Sequence, residues 1–116
     1  MACVFCKIAA GEIPAKVVAS DDSVIAFHDI APRAPVHVLV VPRKHIASVA
    51  DAEDADRDVL GRLMLMARRV AQDLGIAERG YRLIVNVREH GGQEVPHLHV
   101  HVLGGKPLGP MLARPS

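Results

Sequence analysis

Apolar positions along this chain recur with two different periods. Short apolar or alternating runs bounded by Pro, Gly or Asp predict strands over residues 16–20, 24–28, 36–41, 81–87 and 95–105. Asp21-Asp22 turns the first pair into a hairpin. Pro32 and Pro35 punctuate a loop opened by Asp29, and Pro42 stops the β-branched run 36–41, which reads as a central strand. A different period runs through Val59, Leu60, Leu63, Met64, Ala67, Val70, Ala71 and Leu74, the stripe of a single long helix. Acidic residues 51–58 lead into it, Arg68 and Arg69 lie near its end, and Gly75 suits the position after its last turn. Phe5, Ile8 and Ala9 predict a short helical turn within residues 1–11, whose apolar side packs on the sheet. Residues 88–94 read as a loop, and the tail 106–116 has no periodicity. The elements add up to one α+β domain over residues 1–116, with a mainly antiparallel five-stranded sheet, one long helix and a short N-terminal helix.

Within the last strand, His97, His99 and His101 alternate with Leu98, Val100 and Val102. Strand side chains alternate between faces, so the three imidazoles share one face while the aliphatic residues pack beneath. Successive histidines on a straight strand stand roughly 6.6–6.8 Å apart at Cα, too far for all three to hold one ion, and the row divides its labour.

Composition narrows the chemistry. Half the residues are apolar, yet Phe5, Phe27 and Tyr81 are the only aromatics, so the core is aliphatic. A net charge of +1 without a run of Lys or Arg leaves no electrostatic footprint for nucleic acid or an anionic membrane, and the expected partner is a small molecule. No apolar stretch is long enough to span a bilayer and no secretory leader pattern is present, so the expectation is a soluble, cytoplasmic protein. Cys3 and Cys6 are too close together to staple a fold; the pair binds metal, does redox work or stays free. Met64 and Met66 at helical spacing read as core or dimer contacts.

His97-Leu98-His99-Val100-His101-Val102-Leu103 resembles the signature of the histidine triad family, three histidines alternating with apolar residues. Phe27-His28-Asp29-Ile30, Ala34-Pro35-Val36-His37, Val41-Pro42-Arg43-Lys44-His45-Ile46, Gly80-Tyr81-Arg82, Asn86 and Gly91-Gly92-Gln93 occur in the order of its Hint branch, the histidine triad nucleotide-binding proteins. Gly104-Gly105 after the triad is also like Hint, and Pro107 to Ala113 resembles bacterial members.

This resemblance implies a homodimer with the long helix at its interface, a purine nucleotide such as AMP or GMP on each protomer, and hydrolysis through a nucleotidyl-histidine. His99 would be the nucleophile, His101 a donor to the phosphoryl group and His37 a supporting histidine. Asp29 would take the ribose hydroxyls; Phe27, Ile8 and Ile13 would border the base; and Asn86, Gly92 and Gln93 would complete the polar contacts. No Gly-rich phosphate loop with Lys and no carboxylate cluster for Mg²⁺ is present, so phosphate is held by neutral donors, including backbone N–H groups of the Gly91-Gly92 loop, and no Mg²⁺ requirement is expected. Some relatives carry a structural zinc on residues resembling Cys3, Cys6, His45 and His97, a closed Cys₂His₂ set. Phosphoramidate cleavage is the leading activity. Dinucleoside polyphosphate hydrolysis, nucleotidyl transfer and a nucleotide-binding scaffold dimer are the alternatives. Glu94 stands where eukaryotic members have serine, and Pro96 where they have an aromatic.

Overall fold

The computed structural model describes residues 3–113. Its strands are β1 (Val17–Ser20), β2 (Val24–His28), β3 (Val36–Pro42), β4 (Arg82–Ile84) and β5 (Val100–Gly104), and its helices α1 (Val4–Ala9), α2 (Arg57–Asp73) and α3 (Arg88–Gly91). The strands form one sheet in the order β1-β2-β3-β5-β4, with every neighbouring pair antiparallel. Asp21 closes the first hairpin, its Oδ1 accepting the N–H groups of Ser23 at 2.7 Å and Val24 at 2.9 Å.

Alternation along β3 and β5 gives the sheet two unlike faces. Val38, Val40, Leu98, Val100 and Val102 pack under α2 against Leu63, Met66, Ala67 and Val70. On the other face, Phe5 of α1 covers Ile25, Phe27, Leu39 and Val41. Arg43 ties α1 to this face, donating to the carbonyls of Ala9 at 2.8 Å and Asp21 at 2.9 Å. The helix stripe is as expected except at Met64, which is half exposed while Met66 is buried. Met64 follows Leu63 by about 100° around the helix, which carries it off the core-facing stripe. After α2 the N–H of Gly75 bonds Gln72 and that of Ile76 bonds Ala71, a Schellman ending made possible by φ +74 at Gly75.

Three boundaries differ from the sequence reading. The triad strand begins at Val100 instead of residue 95. Pro96 has no N–H to donate, and the Leu98 N–H leaves the ladder to bond the Ile46 carbonyl at 2.7 Å. The strand expected over 81–87 is only Arg82–Ile84, an edge strand. The expected loop 88–94 contains the helical turn α3, entered through Arg88 at φ +55. Two 3₁₀ turns, Val49–Asp51 and Asp54–Asp56, precede α2 where the acidic run was read as its lead-in. Gly104 permits the close approach of Ile76, whose Cδ1 would lie 2.7 Å from an added Cβ. Met1 and Ala2 of the predicted N-terminal turn, and residues 114–116 of the tail, lie outside the described residues. Residues 106–113 contain no helix or strand.

Candidate active site and metal centre

The three histidines have different surroundings. His97 is fully buried, and its Nε2–H donates to the Pro42 carbonyl at 2.8 Å. A neutral imidazole carries one N–H, so its Nδ1 presents a lone pair. That lone pair faces Cys3 Sγ at 3.3 Å, Cys6 Sγ at 3.5 Å and His45 Nδ1 at 3.2 Å, and His45 Nδ1 lies 3.3 Å from Cys6 Sγ. All four ligand atoms lie within 4.8 Å of one another. Tetrahedral zinc, with bonds of about 2.3 Å to sulfur and about 2.0–2.1 Å to nitrogen, separates its donors by roughly 3.3–3.8 Å. The four residues therefore fit such an ion. In its absence, burial and the neighbouring Cys3 push the Cys6 thiol up; a cation reverses that preference by favouring the thiolate. The Pro42 bond supplies the second anchor that a metal-bound imidazole ordinarily has.

The N-terminal elements reach the triad through Phe5, which lies between the two cysteines in sequence. Its ring stands edge-on to His99 at a centroid distance of 5.2 Å and to His97 at 5.8 Å. His99 is almost fully buried, and its Nδ1 lies 2.7 Å from the carbonyl oxygen of His97. Only a protonated Nδ1 can make that bond, so the lone pair of His99 is on Nε2.

His101 belongs to a second relay. The Arg33 backbone N–H donates to His37 Nδ1 at 3.1 Å, which places the His37 proton on Nε2. His37 Nε2 lies 2.9 Å from His101 Nδ1 and 3.3 Å from Asp29 Oδ2, and its proton is shared between them. His101 Nδ1 is thereby an acceptor, and Nε2 must carry the N–H. Burial, His99 and His37 depress His101 to about 4, so it stays neutral at pH 7. Burial, aided by Arg33 and opposed by Asp29, lowers His37 as well. His97 is lowered mainly by burial, against the pull of its Pro42 bond. Asp29, His37 and His101 also have ligand atoms within 4.8 Å of one another. The Arg33 bond, however, protonates the His37 nitrogen that an ion would need.

The structure thus brings His37, Asp29, His99 and His101 together, with Asn86 lining a cavity of about 230 Å³ shared with His37 and His101. Asn86 lies beyond the end of β4 instead of on a strand. Phe27 is buried in the packing beneath the site and Ile8 borders the same cluster. Ile13 is in neither apolar cluster. The Gly92 and Gln93 N–H groups bond the Glu89 and Arg88 carbonyls, and the Gln93 side chain bonds Ala47, Val95 and Arg88, so these donors hold the loop instead of facing outward. Sequence reasoning missed Phe5 as the cover over His99 and Arg33 as the group that sets the His37 tautomer; Ile30, next to Asp29, is fully exposed.

His99 therefore presents a lone pair on Nε2 and His101 an N–H on Nε2, on rings whose centroids stand 4.9 Å apart. The sequence matches the HIT domain family over residues 10–108. It is 52% identical over 110 residues to the purine nucleoside phosphoramidase of Escherichia coli K12, covering 95% of this chain and 92% of that protein. A HIT family hydrolase from Legionella pneumophila Philadelphia 1 has a solved structure that superposes with a TM-score of 0.91 at 50% identity, covering 93% of this chain and 96% of that one. A histidine triad protein from Clostridium difficile gives a TM-score of 0.91 at 45% identity, with 95% and 96% covered. The chain belongs to the HIT domain family.

Proposed function

We propose that this protein is a purine nucleoside phosphoramidase, cleaving the P–N bond of purine nucleoside 5′-phosphoramidates and releasing the nucleoside monophosphate. The observation that carries this reading is the tautomer of His99, whose Nδ1–H is held by the His97 carbonyl and whose Nε2 is free to attack phosphorus. The name borne by the Escherichia coli relative supports it.

In the first step the His99 Nε2 lone pair forms an N–P bond as the substrate P–N bond breaks. The departing amine keeps the bonding pair and takes a proton from water. Water then attacks phosphorus, the N–P bond breaks, its electrons return to Nε2, and a proton passes to solvent. His101 donates Nε2–H to a phosphoryl oxygen throughout. With its value near 4, it acts as a neutral hydrogen-bond donor and not as an imidazolium acid. His37 fixes that donor's orientation. Asp29 takes the ribose hydroxyls; its oxygens accept from Ala31 and lie near His37, but each retains a second lone pair. Ile30 offers the base an exposed apolar surface beside Asp29, with Ile8, Ile13 and Phe27 behind it. Asn86 meets the phosphate, and Gly92 and Gln93 set the shape of the loop around it.

Zinc on Cys3, Cys6, His45 and His97 plays a structural part and clamps α1 to the catalytic segment. The active form is a homodimer, acting in the cytoplasm. Among the described residues no helix is long and apolar enough to cross a membrane.

Quenching with alkaline denaturant during turnover of a lysine-linked AMP, followed by peptide mapping at basic pH, tests the assignment. An adenylyl group on His99 is expected; labelling at another residue refutes it. Faster turnover of diadenosine polyphosphates than of the lysine-linked AMP would replace phosphoramidase with polyphosphate hydrolase.

A further inference from the structure

We propose that Cys3 and Cys6 are an oxidation site, forming a reversible disulfide that releases the metal of the Cys/His cluster and loosens the cover over His99. The proposal rests on zinc being held by Cys3, Cys6, His45 and His97, and goes on to what the two sulfurs do when they meet a peroxide. Cys3 is the N-cap residue of α1 and Cys6 lies in its first turn, with the Lys7 N–H bonded to the Cys3 carbonyl at 3.0 Å. Helical geometry over three residues separates their Cα atoms by about 5 Å, inside the roughly 4.4–6.8 Å that a disulfide bridges. Both sulfurs face one nitrogen, His97 Nδ1, at 3.3 and 3.5 Å, so side-chain rotation brings them together. The pair is also within reach of an oxidant. Both cysteines are partly exposed and His45 beside them is exposed. α1 covers the sheet face opposite α2, so a dimer formed through α2 leaves the pair open to solvent.

A metal-bound cysteine is a thiolate, the form that peroxides oxidise. One sulfur attacks hydrogen peroxide; an S–O bond forms, the O–O bond breaks and hydroxide leaves. The second sulfur then attacks the first, the S–S bond forms, the S–O bond breaks and a second hydroxide leaves. The cysteines lose two electrons and the peroxide gains them. Two imidazoles remain, half of a closed tetrahedral set, and they no longer retain the ion. A small thiol reverses the step by exchange. Phe5 stands between the cysteines in sequence and packs on His99 and His97, while Arg43 ties the far end of α1 at Ala9. Oxidation therefore frees the end of α1 that covers the nucleophile and leaves the other end attached.

Reduced, zinc-loaded protein treated with hydrogen peroxide tests this, followed by a chromogenic zinc chelator, denatured intact mass with peptide mapping, and turnover of a lysine-linked AMP. The expected result is release of the zinc, a mass lower by two hydrogens with Cys3 linked to Cys6, and a kcat reduced about tenfold, the scale of lost orienting partners. Dithiothreitol with added zinc should restore all three. Cys6→His keeps four donors with a single sulfur, and should hold its zinc and its own turnover through the same treatment. Zinc retained by the oxidised wild type, sulfur oxygenation without the disulfide, a disulfide form as active as the reduced one, or a Cys6→His response matching the wild type overturns the proposal and leaves the labelling of His99 untouched. Reduced protein that contains no zinc overturns the ligand set and this proposal together, and failure of the phosphoramidase reading is seen separately, as no turnover before peroxide is added.

Discussion

The carbonyl oxygen of His97 accepts the Nδ1–H of His99 at 2.7 Å, so the main chain of one triad residue decides which nitrogen of the next is nucleophilic. The side chain of the same His97 faces the two cysteines and His45. One residue therefore links the metal-ligand cluster to the proposed nucleophile, with Phe5 packed against both rings. Purified protein should contain one zinc per chain, measured by atomic emission. Cys3→Ser and Cys6→Ser should each lose it and lower the melting midpoint by about 10 °C or more, since bound metal stabilises only the folded chain. Stoichiometric zinc in both variants would refute the ligand set.

Removing His37 should impair His101 without displacing it. In His37→Ala the Nδ1 of His101 has no fixed donor, its two tautomers mix, and the N–H proposed to meet the phosphoryl oxygen is present only part of the time. A fall in kcat of roughly 10- to 100-fold with a smaller change in KM is expected, the usual scale for orienting partners. Opening the site also relieves the burial that depresses His101, so an NMR titration should find its value moved upward from about 4.

Acid should weaken the fold through the same histidines. His101 titrates near 4 in the native protein against 6.5 when unperturbed, so the unfolded chain binds the proton more readily. Its contribution to stability is complete above pH 6.5 and is lost as the pH falls from there through about 4. His37 and His97, both lowered, act with the same sign. Melting midpoints measured from pH 7 to pH 4 should decline, and His101→Gln should flatten part of that decline. An unchanged slope in the variant would remove His101 from the account.

Arg88 enters α3 at φ +55, where a side chain with a Cβ is strained by about 1–2 kcal/mol. Its guanidinium bonds Asp51 at 2.9 Å, an ion pair exposed on both sides and therefore weak. Arg88→Gly and Arg88→Ala both lose the pair, but only glycine relieves the strain. Arg88→Gly should be the more stable of the two by about 1 kcal/mol in urea unfolding.

Local periodicity made much of this architecture readable. The β1–β2 hairpin, β3 and α2 each have a pattern longer than the ambiguity at their ends, and Gly75 marks the helix stop with its own conformation. The start of β5 was not readable because the acceptor that draws Leu98 off the ladder is Ile46, a residue distant in sequence. The α3 turn was hidden because Arg88 adopts a backbone conformation that its side chain disfavours. Resemblance supplied the four-residue Cys/His set, since spacing alone shows only the cysteines and His45 and His97 arrive through tertiary folding. No residue-level pattern reports that Arg33 donates to His37, a bond made by the backbone and therefore silent in the sequence.

The departure of residues 97–99 from the ladder also limits what the motif is as a portable unit. Copied onto a regular strand, His97 to His101 would become three evenly spaced, interchangeable imidazoles. Transplanting their separate behaviours requires Pro42 to take the first ring, Ile46 to capture Leu98 and Phe5 to cover the second, three residues that no reading of the triad alone would include.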